Sequence, residues 1–264
     1  MSRTTRYLTG LALVIGVLLM GVGMVLLIAS APALRDAPLW GTLLTQGIWI
    51  LLALYGAVLS RTRRLGDRLG LGRSELSIST SVVLVVGFVA LSGGLHQGLV
   101  SLELRETGSL AEIDAIVREA RERAPSFLLA LLAMGIAPGF GEEFLFRGFL
   151  QRGLVSRLGP LRGVLLSAVI FGLAHFDPLH SSLAFLLGAY LGVVTQLAGC
   201  IRTAILCHVL NNTLGILAPG ATAGVLPTGD AWATALLLAL AGASLLYADR
   251  QRKSAARRQA EIPG

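Results

Sequence analysis

Eight stretches of this chain are apolar for about the length that a helix needs to cross a bilayer. They run from about Leu8 to Ala29, Leu39 to Ser60, Ile78 to Val100, Phe127 to Leu154 with an interruption, Leu161 to Phe176, Ser181 to Cys200, Ile201 to Ala218 and Trp232 to Tyr247. A hydrocarbon core of about 30 Å takes roughly 20 helical residues. Within it an unpaired backbone N–H or C=O has no water to bond, so open strands are excluded, and the runs lack the alternation of barrel strands. The sequence therefore predicts an all-α, polytopic membrane bundle of about eight transmembrane helices. Composition agrees: AVILMFWYC make up 54% and charged residues 14% of the chain, against about 25% charged in soluble domains. Disorder and a disulfide scaffold are excluded on the same grounds, and Cys200 and Cys207, in one hydrophobic stretch, read as small buried hydrophobes.

The formal charge is +7. It does not imply nucleic acid, because the basic residues form no patch on a soluble domain and fall between apolar runs instead. Arg3 and Arg6, then Arg61, Arg63, Arg64, Arg68 and Arg73, then Arg152, Arg157 and Arg162, then Arg202, then the tail from Arg250 to Arg258 make every second connection basic. The alternate connections are poor in net positive charge. Retention of basic loops in the cytoplasm then predicts both termini on that side. The first run has 22 residues, too many for a signal-peptide h-region of about 7 to 15, and reads as a retained anchor. Between the third and fourth runs, Leu110, Ile113, Ile116 and Val117 recur at helical spacing among charged residues. This predicts an amphipathic helix, lying on the outer interface, covering the bundle or serving as a solvated connector.

Ionisable groups inside apolar helices are costly and mark function. Three segments concentrate them: Gly139 to Leu150 with Glu142, Glu143 and Arg147; Ile170 to Asp177 with Phe171 and His175; and Cys207 to Asn212 with His208, Asn211 and Asn212. Helical geometry places Glu143 and Arg147 on one face as an i,i+4 pair, with Arg147 able to reach toward the cytoplasmic boundary. Glu142, about 100° away, is left as the reactive carboxylate. Phe171 and His175 share a face, as do His208 and Asn212. Pro138, Gly139 and Gly141 predict a weakened or broken helix beside a wet pocket. Gly172, Gly188 and Gly192 would let helices approach closely around it. His96 and His180 lack such companions and read as structural.

The ordered trio Glu142-Glu143-x-x-x-Arg147, Phe171-x-x-x-His175 and His208-x-x-x-Asn212 resembles the CAAX-protease and bacteriocin-processing intramembrane peptidases, the CPBP or ABI family. The resemblance covers about Phe127 to Leu217. It implies a four-helix catalytic core around a polar cavity, in which Glu142 with His175 activates water. In that scheme His208 and Asn212 stabilise the oxyanion, and Glu143 with Arg147 holds the helix in place.

The chain then divides into N-terminal transmembrane helices with the outer connector over 1–124, a CPBP-like core over 125–218, and a last transmembrane helix with a basic tail over 219–264, in one integrated membrane domain. The expected activity is hydrolysis of a peptide bond in a membrane-associated or exported protein or peptide. The partners are the lipid bilayer and that substrate, and the location is the inner (plasma) membrane of a bacterium, since 21 of the 22 basic residues are Arg, as a GC-rich gene would encode. The family is described both as metallopeptidases and as glutamic-type peptidases. Glu142, His175 and His208 would suit a His2Glu zinc site with an open position, but no His-Glu-x-x-His pair is present, and the reading favours water activation without a metal. Two alternatives come from other classes: a non-catalytic immunity or scaffold protein, and a transporter, which would show paired broken helices in two halves.

Overall fold

The structure, a computed structural model, describes residues 15–16, 19–20, 22–23, 26–27, 30–59, 64–104, 107–217 and 230–260, the side chains of 35 and 259 excepted. It is 87% helical, and no strand occurs among the described residues. We number the principal helices α1 (Pro38–Leu59), α2 (Ile78–Ser101), α3 (Gly108–Ala120), α4 (Ala124–Leu158), α5 (Pro160–Leu173), α6 (Pro178–Ala198), α7 (Arg202–Leu217) and α8 (Ala231–Ala260). Five of them, α1, α2, α4, α6 and α8, are long and apolar enough to cross a membrane. The expected crossings at α5 and α7 are shorter, 14 and 16 residues, or roughly 21 and 24 Å at 1.5 Å per residue. The first apolar run lies largely outside the described residues. The chain is an all-α polytopic bundle, with five helices of spanning length among the described residues.

Local chemistry sets the helix ends. The Ser77 side chain accepts from the Thr80 N–H to cap α2. Pro160 opens α5 behind Gly159, whose φ of 82° lets the chain reverse out of α4. Asp177 caps α6 ahead of Pro178, and Gly199, left-handed at φ 67°, ends it. The α5 helix stops at Leu173 although the apolar run continues to Phe176. The reason is a tight turn over 174–177 in which Phe176 takes a φ of 55°, so His175 sits on a turn and not on a helix.

Helix α4 is continuous where the sequence predicted a break. Its turns widen to π geometry over Leu131–Ile136 and Glu143–Gln151, on either side of an α-helical turn over Ala137–Glu142. Pro138 has no N–H for the carbonyl of Met134 four residues back, and the Asn212 amide of α7 donates to that oxygen at 3.4 Å. The neighbouring glycines serve close approach. A Cβ on Gly139 would strike Val209 of α7, and one on Gly141 would come within 2.8 Å of the Gln46 carbonyl of α1. Helix α4 thereby packs against α1, α5, α6 and α7, while α2 pairs with α8 and also meets α6 and α7. Gly172 and Gly188 play the expected part in the contact between α5 and α6: a Cβ on either would come within 2.7 Å of the opposite helix. Outward, Leu51, Val58, Leu161, Leu173, Leu236 and Leu246 remain exposed, as lipid-facing positions of a membrane bundle should. Cys200 and Cys207 are buried free thiols.

Helix α3 covers the bundle. Leu110, Ile113 and Val117 face an internal cavity, while Glu112, Arg118 and Glu119 are exposed. Its start is held by Asp177, which accepts from the His180 N–H at 2.8 Å and the Ser109 N–H at 3.3 Å, and by a hydrogen bond of 3.1 Å between the Ser109 hydroxyl and His180 Nδ1. Donation by the His180 and then the Ser109 backbone holds the Asp177 carboxyl below its ordinary value of 3.8. A carboxyl whose folded pKa is depressed contributes stability above its unfolded pKa and loses it as pH falls through the folded one. Acidification through the carboxylate range is therefore expected to raise hydrogen exchange in α3, corrected for the intrinsic pH dependence. In Asp177→Asn that added rise disappears.

Candidate active site

Three helices and one turn deliver the polar residues singled out in the sequence to a common interior. Glu143 and Arg147, one turn apart on α4, are 0% and 1% exposed. Arg147 Nη1 donates to Glu143 Oε1 at 3.1 Å, and Nη2 donates to the Gly188 carbonyl of α6 at 3.2 Å. The guanidinium also lies over the Phe171 ring of α5, Cζ 4.3 Å from its centroid. Arg147 is thus buried in the bundle, tied to α5 and α6. Glu143 Oε1 accepts a second bond, from His208 Nδ1 of α7 at 2.8 Å. One carboxylate oxygen ties α4 to α7 while its cation ties α4 to α6.

Glu142 points elsewhere, as the 100° step requires. Its side chain is 14% exposed, and Oε2 lies 3.8 Å from His208 Nε2. Oε1 accepts from Gln46 Nε2 of α1 at 3.0 Å. The carboxylate of Glu143 can only accept, so His208 Nδ1 carries a proton and Nε2 is the nitrogen turned to Glu142.

His175 receives a comparable orientation from the turn that holds it. With the helix ended, its N–H bonds the Gly172 carbonyl, and the orphaned Phe171 carbonyl is met by His175 Nδ1 at 2.9 Å. A carbonyl accepts only, so Nδ1 carries a proton, and in the neutral ring Nε2 is the nitrogen with the lone pair. The Phe171 ring supports the imidazole edge to face at 5.0 Å. On its other side the His180 ring lies 4.4 Å away. Asn212 is half-buried, bonded to Met134, and accepts from the buried Asn211 amide at 3.4 Å.

These groups open onto a cavity of about 470 Å³, whose lining includes Glu142, His175, His208 and Asn212. Glu143 and Arg147 stand behind it. All four histidines of the chain line this cavity, so His96 and His180, read as structural, belong to its wall. Gln46 and Asn211 were missed as well. Gln46 is a lone amide in an apolar run, with no companion at helical spacing to mark it, and Asn211 was overshadowed by its neighbour in the His208-x-x-x-Asn212 pattern.

Residues 124–214 match the family model described as type II CAAX prenyl endopeptidase Rce1-like. This segment is similar to the Rce1-like family, consistent with the CPBP family. No curated protein and no solved structure matches the chain. The Rce1-like family is a protease family, which supports an enzyme acting at the membrane. Helices α1, α2, α3 and α8 lie outside the Rce1-like segment, yet the first three line its cavity. Among the described residues, no group of three or more His, Cys, Asp or Glu side chains is arranged to hold a metal ion.

Removing one partner of a buried, hydrogen-bonded charge pair costs about 3–5 kcal/mol, because the other charge is stranded. Arg147→Met is expected to lower the thermal midpoint in detergent by that order of stability. Adding Glu143→Gln, which removes the stranded charge, recovers a large part of the loss in the same melt.

Proposed function

We propose that the protein is an intramembrane endopeptidase that hydrolyses a peptide bond of a membrane-associated or exported protein or peptide with water activated by Glu142 and His175. The observation that carries this reading is the placement of the Glu142 carboxylate 3.8 Å from His208 Nε2, on a largely apolar cavity to which His175 and Asn212 also contribute. A water held by Glu142 Oε2 and the lone pair of His175 Nε2 gives up a proton as its oxygen attacks the scissile carbonyl carbon. The C=O π pair moves to oxygen, and in this scheme His208 Nε2 and the Asn212 amide donate to that oxyanion. For His208 to donate there its ring carries both protons, a form that the Glu143 and Glu142 carboxylates complement by charge. The proton taken from water passes to the departing amine, the C–N bond breaks, and a carboxylate and an amine leave. Glu143, with Arg147, fixes the ring of His208 and the face of α4.

Alternate basic connections support a bacterial inner-membrane placement with both termini cytoplasmic. The test compares membrane-protein termini in cells carrying the wild type, Glu142→Gln or His175→Ala. New termini that depend on the protein should vanish in both variants, with cleavage at least about 100-fold slower. Asn212→Ala should lose about 100- to 1,000-fold in kcat, as loss of an oxyanion donor does. A scaffold or immunity role predicts instead that Glu142→Gln retains function. Stoichiometric metal in the purified protein, with cleavage lost on chelation and restored by that metal, would replace the metal-free scheme.

A further inference from the structure

Gln46 of α1 is 6% exposed and lies outside the Rce1-like segment. Its amide meets Glu142 Oε1 at 3.0 Å. A carboxylate has no hydrogen to give, so the nitrogen end of the amide must face Glu142 and the oxygen end must face away. That oxygen is directed against Gly141. Among the described residues Gln46 Oε1 is buried with no hydrogen-bond partner.

A buried acceptor without a donor is a cost to the fold, and a Leu or Met would fill the same space between α1 and α4 without it. Glycine at 141 is what makes room, since any Cβ there would collide with the amide oxygen and approach the Gln46 backbone carbonyl within 2.8 Å. Packing therefore does not account for the amide. Its effect on Glu142 does. By holding Oε1 it sets the carboxylate plane and leaves Oε2 as the oxygen that faces His208 Nε2.

We propose that Gln46 is a positioning residue of the active site, supplied by a helix outside the Rce1-like segment, that orients Glu142 through its amide N–H and selects Oε2 as the water-facing oxygen. The proposal rests on the peptidase reading for its kinetic consequence but not for its structural one.

The experiment compares wild type, Gln46→Met, Gln46→Glu and Glu142→Gln in proteoliposomes. Gln46→Met keeps the volume and removes both the donor and the orphaned oxygen. Gln46→Glu keeps the shape and, when ionised, has no N–H to give. The expected result is a fall in kcat of about tenfold or more in both, KM within twofold, and a thermal midpoint for Gln46→Met equal to or above wild type. A structural role would lower the midpoint. In parallel, labelling of Glu142 by a hydrophobic carbodiimide, read by peptide mass spectrometry, should rise severalfold in Gln46→Met because its Oε1 is no longer held. Unchanged labelling overturns the proposal, as does wild-type kcat in Gln46→Met alongside an inactive Glu142→Gln. If the wild type cleaves nothing, the peptidase reading fails, and the labelling arm still decides the role of Gln46.

Discussion

A single carboxylate oxygen, Glu143 Oε1, organises the interior of this bundle. It accepts from Arg147 on its own helix and from His208 on α7, and Arg147 passes the constraint on to the Gly188 carbonyl of α6 and the Phe171 face of α5. Four helices are thus referred to one point in a region without water to compete for these bonds. Ion pairs of this kind are not a cheap source of stability. What this one supplies is register: it fixes the rotation of α4, and with it the direction in which Glu142 points, and it fixes which nitrogen of His208 faces the cavity.

The same helix shows how backbone irregularity becomes part of the site. Pro138 withholds an N–H, the helix widens to π geometry around it, and the carbonyl left at Met134 is met by Asn212. Gly139 and Gly141, on the α-helical turn between the two π stretches, let α7 and α1 close on α4. Successive residues of a helix project about 100° apart, so two adjacent glutamates address different partners, one inside the protein and one on the cavity. His175 is placed by an analogous device, since the carbonyl freed by the end of α5 is what orients its ring.

The bundle class was legible because hydrophobic length is a strong signal that a bilayer enforces on every span. The i,i+4 meeting of Glu143 with Arg147 was legible too, since it depends only on helical geometry. The termination of α5 at Leu173 was not, because the turn over 174–177 continues an apolar run and is fixed by the cap at Asp177 and the φ of Phe176. The continuity of α4 was missed for the opposite reason: a proline and two glycines signal a break only when nothing packs against them, and here α1 and α7 do. Gln46, His96 and His180 reach the cavity through the packing of distant helices, and no local pattern in the sequence encodes that.

The cavity therefore has two origins. Glu142, His175, His208 and Asn212 come from α4, the 174–177 turn and α7, within the Rce1-like segment, at spacings that can be read as a motif, and α1 adds Gln46. Its walls come in large part from elsewhere: Phe88, Leu95 and Leu99 of α2, and Leu110, Ile113 and Val117 of α3. Bond-breaking chemistry needs a few donors and acceptors at fixed distances, which constrains residue type tightly. A wall that accepts an apolar chain needs only volume and hydrophobicity, which many sequences satisfy. The motif residues and the apolar walls thus come from different helices, the walls in large part from α2 and α3 packed against α6.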